Sequence, residues 1–376
     1  MDAQKPTAGF IRVEKFRKYD YGPTHPMKMY RLQLTFELIR HLGLIDRENV
    51  TLIEPEQASE EDVLTFHTQE YLEVLKSADS GLFFPGAYRY GLGQGDNPIF
   101  PGVYEGSMLA CGASISAARF VLDGGRVAFN IAGGLHHAMP NKASGFCYLN
   151  DPVIAINFLL RHFEKIAYVD IDAHHGDGVQ LAFYRTNRVL TISTHEDGRF
   201  LFPGTGFVDE IGEGEGKGFS VNIPFLPFAG DDAFIYALSE VVMPLLEAYN
   251  PDVIVTQLGA DTIRDDPITH WQLTTHGFCK AVELFKALGK PWVALGGGGY
   301  NVGNVCRAWT LAWAIMSNAE ITEPIPKKWE AVASKYGVRL TSLHDEQPSS
   351  SPSSVMEGIK ATCNRIKRLI FPLHGL

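Results

Sequence analysis

The sequence predicts an α/β fold with a mainly parallel central sheet flanked by helices. Two observations carry that expectation. Apolar, strand-like runs alternate with segments of helical spacing, as they must when each parallel strand reaches the next through a helical crossover. The residues with unusual chemistry then fall directly after four of those runs, and ligands of such sheets bind beyond the carboxyl ends of the strands.

The strand-like runs cover residues 127–131, 166–171, 189–193, 219–223, 253–258 and 292–295. Segments 108–121, 232–248, 274–288 and 302–316 carry apolar residues at helical spacing. Residues 81–106, rich in Gly, Pro and aromatics, read as a long surface loop near the site-bearing face. The acidic glycine run 212–218 reads as a solvated hairpin loop. Past Glu320 the alternation fades. The run Pro348-Ser349-Ser350-Ser351-Pro352-Ser353-Ser354 reads as a flexible linker, and 355–371 as a short helix carrying Lys360, Arg365, Lys367 and Arg368. The expected organisation is one domain over 1–319 and a C-terminal extension over 320–376.

Composition narrows the function. With 376 residues, 45% of them hydrophobic, the chain can bury a large core. Its formal net charge of −10 argues against nucleic acid or an anionic membrane as partner, because phosphate binding needs clustered Lys and Arg. Cys111, Cys147, Cys279, Cys306 and Cys363 are widely spaced and form no C-x-x-C, so neither a disulfide framework nor a thiolate metal site is expected. The opening Met-Asp-Ala-Gln-Lys-Pro lacks the apolar core of a signal peptide, and no apolar run approaches the ~20 residues of a membrane span. A soluble, cytoplasmic protein is the expectation.

The stretch Val169-Asp170-Ile171-Asp172-Ala173-His174-His175-Gly176-Asp177 follows an apolar run. The run reads as a buried strand, and its period of two aims Asp170, Asp172 and His174 the same way, so three metal-competent side chains are expected on one face. Carboxylate oxygen and imidazole nitrogen suit Zn²⁺ at roughly 2.0–2.2 Å, and a catalytic zinc takes three protein ligands with one position left open. Asp261, in Gly259-Ala260-Asp261 after the run 253–258, is the natural further ligand, although an isolated aspartate there more often caps a helix or turn. Gly133-Gly134-Leu135-His136-His137-Ala138 puts two histidines on a glycine turn that can aim both into a cleft. Gly296-Gly297-Gly298-Gly299-Tyr300-Asn301 fits neither nucleotide-binding glycine motif. Its glycines instead let backbone approach the cleft and present the Tyr300 hydroxyl to a developing oxyanion. Phe146 and Phe202, each beside glycines, offer two flat walls for an aliphatic chain.

Together, the G-G-x-H-H-A, D-x-D-x-H-H-G-D-G, Gly-Ala-Asp and G-G-G-G-Y-N motifs resemble the zinc-dependent histone deacetylase family, with the bacterial acetoin utilization proteins the nearest in pattern. The resemblance runs from about Tyr19 to Asn318. It implies the arginase/deacetylase α/β fold, with Zn²⁺ (or Fe²⁺) on Asp172, His174 and Asp261. It implies that Asp170 pairs with His136 and Asp177 with His137, and that Gly145, Phe146 and Phe202 line an acyl-lysine channel. Asp96 would grip substrate backbone at the rim. A structural K⁺ would sit near Asp170, Asp172, His174, Ser193 and Thr194, largely on main-chain oxygens. Two segments depart from the commonest pattern by being more charged: Arg264-Asp265-Asp266-Pro267, and His195-Glu196-Asp197-Gly198-Arg199 before Phe202.

The resulting expectation is hydrolysis of Nε-acetyl-lysine in proteins, with His137 as general base, His136 as charge stabiliser, and Tyr300 with the metal as oxyanion hole. Acetylpolyamine hydrolysis is the alternative. By resemblance, polyamine-selective eukaryotic members carry an acidic residue where this chain has Ile268, whereas Asp265 and Asp266 supply acidity nearby. A non-catalytic acyl-lysine reader should have lost a ligand, a histidine or the tyrosine, and none is lost. A two-metal ureohydrolase would need carboxylates where His136 and His137 stand.

Overall fold

Among the described residues, eight strands form one sheet in which every strand pairing is parallel. The computed structural model describes residues 6–93, 95–321 and 324–376. Residues 1–5, read above for a signal-peptide core, lie outside that set. The strands are β1 (Ala8–Ile11), β2 (Val50–Ile53), β3 (Val127–Asn130), β4 (Ile166–Asp170), β5 (Val189–Glu196), β6 (Ser220–Phe225), β7 (Val253–Gln257) and β8 (Trp292–Leu295). Their order is β2-β1-β3-β8-β7-β4-β5-β6. The four strands whose ends carry the unusual residues, β3, β8, β7 and β4, are therefore neighbours in the middle of the sheet.

Six strands follow the sequence reading. β1 and β2 do not, because four residues are too few to show a period and β1 contains Gly9. Both still bury apolar surface: in β1, Phe10 is fully enclosed and packs edge-on to Phe129 of β3 at 5.9 Å and to Trp313 at 5.0 Å, while Val50, Leu52 and Ile53 of β2 are half-buried against the same core. Burying each such ring is worth roughly 1.5–3 kcal/mol. β5 and β6 are parallel, so the glycine run 212–218 lies in a crossover connection and is not a hairpin.

The helices fix the loops that matter. The helix Val103–Leu122 begins inside the segment read as loop, after Gly102 at φ 81°; the rest of that segment contains a short turn of helix at Ala87–Tyr90. Helix Asp151–Leu159 starts with Asn150 accepting from Val153 N and with Pro152 in its first turn, a favourable start because proline lacks only an N–H that would be unpaired there. Helix Val302–Met316 is capped in the same way by Asn301.

The serine run read as a flexible linker is instead pinned. Ser349 and Asp231 exchange hydrogen bonds between backbone N–H and side chain at 2.9 Å each way, and Ser351 Oγ accepts from Gly230 N and donates to Asp232. These bonds hold the chain where helix Ser353–Ile370 lays Val355, Ile359, Cys363, Ile366 and Ile370 into the main core beside β6. The three- and four-residue spacing of those side chains makes one apolar stripe. No helix among the described residues is long and apolar enough to cross a membrane.

Candidate metal centre

β4 ends at Asp170, so strand alternation does not carry Asp172 and His174 to a common point, contrary to the period-two expectation. Loop hydrogen bonds do it. Asp172 N donates to Asp170 Oδ1 (3.1 Å), His174 N to Asp172 Oδ1 (2.9 Å) and Ala173 N to Asp261 Oδ1 (2.9 Å). The turn thus folds onto Asp261, which arrives from the end of β7. His174 Nδ1 lies 3.1 Å from Asp172 Oδ1 and 3.0 Å from Asp261 Oδ2, and the ligating atoms of all three side chains lie within 4.8 Å of one another.

The donor set fits a divalent cation. Two carboxylates are fully enclosed here with one imidazole to offset them. Burial, then Asp172, pushes the Asp261 carboxyl up; burial also pushes on Asp172, but His136 and His174 hold it well below the usual carboxylate range. A doubly charged ion relieves this crowding, and two oxygens with one imidazole nitrogen are ordinary zinc donors. The wall is closely built: a Cβ at Gly298 would lie 2.1 Å from Asp261 Oδ2, and one at Gly259 would lie 2.3 Å from Asp172 Oδ2. Gln257 Nε2 and Gly298 N donate to Asp172 Oδ2 at 2.6 and 2.8 Å, orienting that ligand from behind.

Beside this cluster stand two histidine–carboxylate pairs. His136 Nδ1 lies 2.7 Å from Asp170 Oδ2, and His137 Nδ1 lies 2.7 Å from Asp177 Oδ1. Asp170 also accepts from Tyr168 Oη at 2.7 Å. Their environments separate the two imidazoles. Burial works against a charge on His136, but Asp170 and Asp172 outweigh it and raise its pKa to about 9. Burial and the neighbouring His136 lower His137 to about 4. An imidazole that holds its proton beside one that gives it up has the chemistry needed for a charge stabiliser and a base.

Residues 25–316 match the family model described as Histone deacetylase domain. The chain belongs to the histone deacetylase family. It is 38% identical over 329 residues to the Acetoin utilization protein AcuC of Bacillus subtilis (strain 168), covering 85% of this chain and 84% of that protein. It is also 38% identical over 312 residues to Histone deacetylase 1 of Homo sapiens, covering 82% of this chain and 64% of that one. Among solved structures, an HDAC homolog from Aquifex aeolicus matches with a TM-score of 0.89 at 35% identity, covering 96% of this chain and all of that one. The fold is thus the arginase/deacetylase fold that the motifs implied, and the chain is a deacetylase, a hydrolase.

The rim of this deacetylase collects the remaining residues singled out from sequence. Phe202 stands edge-on to His137 at 5.0 Å, and Phe146 stands edge-on to Tyr300 at 5.5 Å. Gly145 has no room for a side chain: a Cβ would lie 2.5 Å from the His137 ring and 2.8 Å from Phe202. Asp96 is exposed and, with Tyr21, His25, Phe83 and Phe146, borders a cavity of about 940 Å³. Burial, reinforced by Asp261 and Asp172, keeps the Tyr300 phenol protonated far into alkaline pH.

The charged departures from the family pattern have structural partners. Asp266 Oδ2 accepts from Tyr300 N at 2.7 Å and Asn301 N at 3.3 Å, while its Oδ1 accepts from Ile268 N at 3.1 Å. Glu196 is paired with His270, and Asp197 with Arg199. Sequence reasoning missed Tyr168, Gln257 and Arg31; Arg31 is buried and donates to the Gly297 and Gly299 carbonyls at 2.8 and 2.7 Å, bracing the turn before Tyr300. No motif marks them: Tyr168 and Gln257 sit inside apolar strand runs, and an arginine such as Arg31 is ordinarily a surface residue.

Proposed function

We propose that this deacetylase removes acetyl and related acyl groups from Nε-acyl-lysine of proteins or peptides, with Asp172, His174 and Asp261 holding Zn²⁺ or Fe²⁺. The observation that carries the reading is the convergence of those three side chains beside two histidine–carboxylate pairs, His136 with Asp170 and His137 with Asp177. The metal, when bound, polarises the acyl carbonyl and acidifies the attacking water. His137, neutral, takes the proton of that water and returns it to the departing lysine amine. His136, kept charged by Asp170, stabilises the negative charge that develops nearby. Tyr300 donates its hydroxyl hydrogen to the oxyanion. Gly145, Phe146 and Phe202 guide the aliphatic chain, and Asp96 at the rim accepts from substrate backbone N–H groups.

We also assign a structural K⁺ to the main-chain oxygens around Asp170, Asp172, His174, Ser193 and Thr194. Pairing of Asp170 with Ser193 between β4 and β5, and the Thr194 Oγ1 donation to the Asp170 carbonyl at 3.2 Å, support that placement by drawing those segments together. The five cysteines, all unpaired, support a reducing cytoplasm as the site of action.

An acetylpolyamine is the weaker reading. A free polyamine needs carboxylates at the channel mouth to offset its charge, yet Ile268 is apolar and Asp266 already serves three backbone N–H groups. The large cavity beside Asp96 and Phe146 also suits an extended peptide more than a slender amine. Metal-loaded enzyme offered acetyl-lysine peptides, longer acyl-lysine peptides and acetylpolyamines under one set of conditions tests the proposal. Peptide hydrolysis at the highest kcat/KM is expected; a preference for acetylpolyamines would reverse the assignment, and binding of peptide without turnover would make the chain a reader.

A further inference from the structure

The turn that carries His136 and His137 is gripped from two sides by Asn150 and Asp151, both fully buried. Asp151 Oδ2 accepts from Gly134 N at 3.0 Å and Oδ1 from Leu135 N at 2.8 Å. Asn150 Nδ2 donates to the His136 carbonyl at 3.1 Å and to the Ala138 carbonyl at 3.0 Å. The backbone is therefore tied down immediately before, between and after the two imidazoles.

The clamp is itself held. Ser114 Oγ donates to Asp151 Oδ2 at 2.5 Å, and Asn130 Nδ2, from the end of β3, donates to Ser114 Oγ at 2.9 Å. Asn150 Oδ1 caps helix Asp151–Leu159 through Val153 N at 3.2 Å, while Asn150 N donates to His67 Nε2 at 3.0 Å. There is no slack around it: a Cβ at Gly133 would lie 2.4 Å from Asp151 Oδ2, and one at Gly178 would lie 2.6 Å from Asn150 Nδ2.

Helix capping alone does not require this pair. Serine or aspartate would cap as well as Asn150, but neither offers two N–H donors to the turn. A buried carboxylate without a cationic partner is costly, and no such partner of Asp151 is present among the described residues. What the carboxylate supplies here is two acceptors matched to adjacent backbone N–H groups. The side chains that depend on this turn meet Asp170 and Asp177 at 2.7 Å, and misplacement by about 1 Å costs on the order of 10²-fold in rate.

We infer that Asn150 and Asp151 are positioning residues that hold the His136/His137 turn in register with Asp170 and Asp177, and so set the rate of proton transfer without setting substrate affinity. The inference rests on the reading of the two histidines as the proton-handling pair. Asn150→Ser keeps an acceptor for Val153 N and removes both donors to the turn. Asp151→Asn keeps the volume but sets an amide NH₂ against a backbone N–H. On an acetyl-lysine peptide, metal-loaded Asn150→Ser should lose about 10- to 10²-fold in kcat with KM and metal content close to wild type and a Tm above that of Asn150→Ala, and Asp151→Asn should show the same split between kcat and KM. Asn150→Ala, which also loses the cap, should lose no more kcat than Asn150→Ser while its Tm falls. Wild-type kcat in Asn150→Ser, or a loss that tracks only the folded or metal-loaded fraction, overturns the inference. If Asn150→Ser does not fold, Asp151→Asn decides on the same criteria, and failure of both to fold would make the pair purely structural. His137→Ala is measured alongside: full activity there removes the reading of the histidines and this inference with it, whereas loss there beside wild-type Asn150→Ser removes this inference alone.

Discussion

His136 Nε2 and His137 Nε2 face each other at 3.0 Å, and each ring turns its Nδ1 to a different carboxylate. A carboxylate at Nδ1 keeps a proton there, so the short contact between the Nε2 atoms has room for one proton only. His136, raised to about 9, carries it, and His137, lowered to about 4, receives it as a neutral acceptor. The neighbouring rings are therefore unequal before any substrate arrives.

That inequality ranks two variants. His137→Ala should lose more turnover than His136→Ala, because removing the neutral ring removes the base while removing the charged ring weakens stabilisation. Metal content should be retained in both. Steady-state rates with elemental analysis check this, and the reverse ranking would exchange the two roles.

Metal occupancy should follow the three converging side chains. Asp172→Ala and Asp261→Ala should each lower metal content and abolish hydrolysis. Gly298→Ala changes no ligand, yet its Cβ would lie 2.1 Å from Asp261 Oδ2 and 2.8 Å from Asp172 Oδ2, so it too should lose metal. Full occupancy in either aspartate variant would refute the ligand assignment.

Tyr300 is expected to matter through its hydroxyl. Removing one oxyanion donor costs about 10²–10³ in turnover, and Tyr300→Phe should fall by that order while the ring still packs against Phe146 and metal is kept. Single-turnover rates distinguish this from a packing role, under which the loss would stay below about tenfold, or ~1.4 kcal/mol.

Asp345 should make stability depend on acid pH. Burial pushes its carboxyl up, but the Thr275 N–H and the Arg307 and Arg264 guanidinium groups more than offset that and hold it low. Because the folded value lies below the unfolded value of about 3.9, its contribution is complete above that pH and is lost as pH falls through the folded value. Asp345→Asn should therefore lower Tm at pH 7, and the gap to wild type should close below about pH 4. A gap that is constant across this range would mean that the ionised carboxylate contributes nothing.

The sequence by itself determined the α/β class, the strands β3 to β8 and the residues at the ends of β3, β4, β7 and β8, because buried parallel strands are apolar runs and the site chemistry is concentrated in short motifs directly after them. The pairing of His136 with Asp170 and His137 with Asp177 was legible only through the family resemblance, since no spacing rule joins residues 34 and 40 positions apart. Tertiary structure alone decided how Asp172 and His174 converge: the strand ends at Asp170, and the loop is tied by the Ala173 N–H to the Asp261 carboxylate, 88 residues away beyond the end of β7. It decided that the Asp266 carboxylate accepts from the backbone N–H groups of Ile268, Tyr300 and Asn301, and that the serine run is pinned to Asp231 and Asp232 instead of moving freely. It also brought Asn150 and Asp151 against the histidine turn. A local sequence records periodicity and residue type; which backbone N–H a buried carboxylate will meet is fixed by the packing of distant segments, and a polar group in the interior must find such a partner wherever the fold places one.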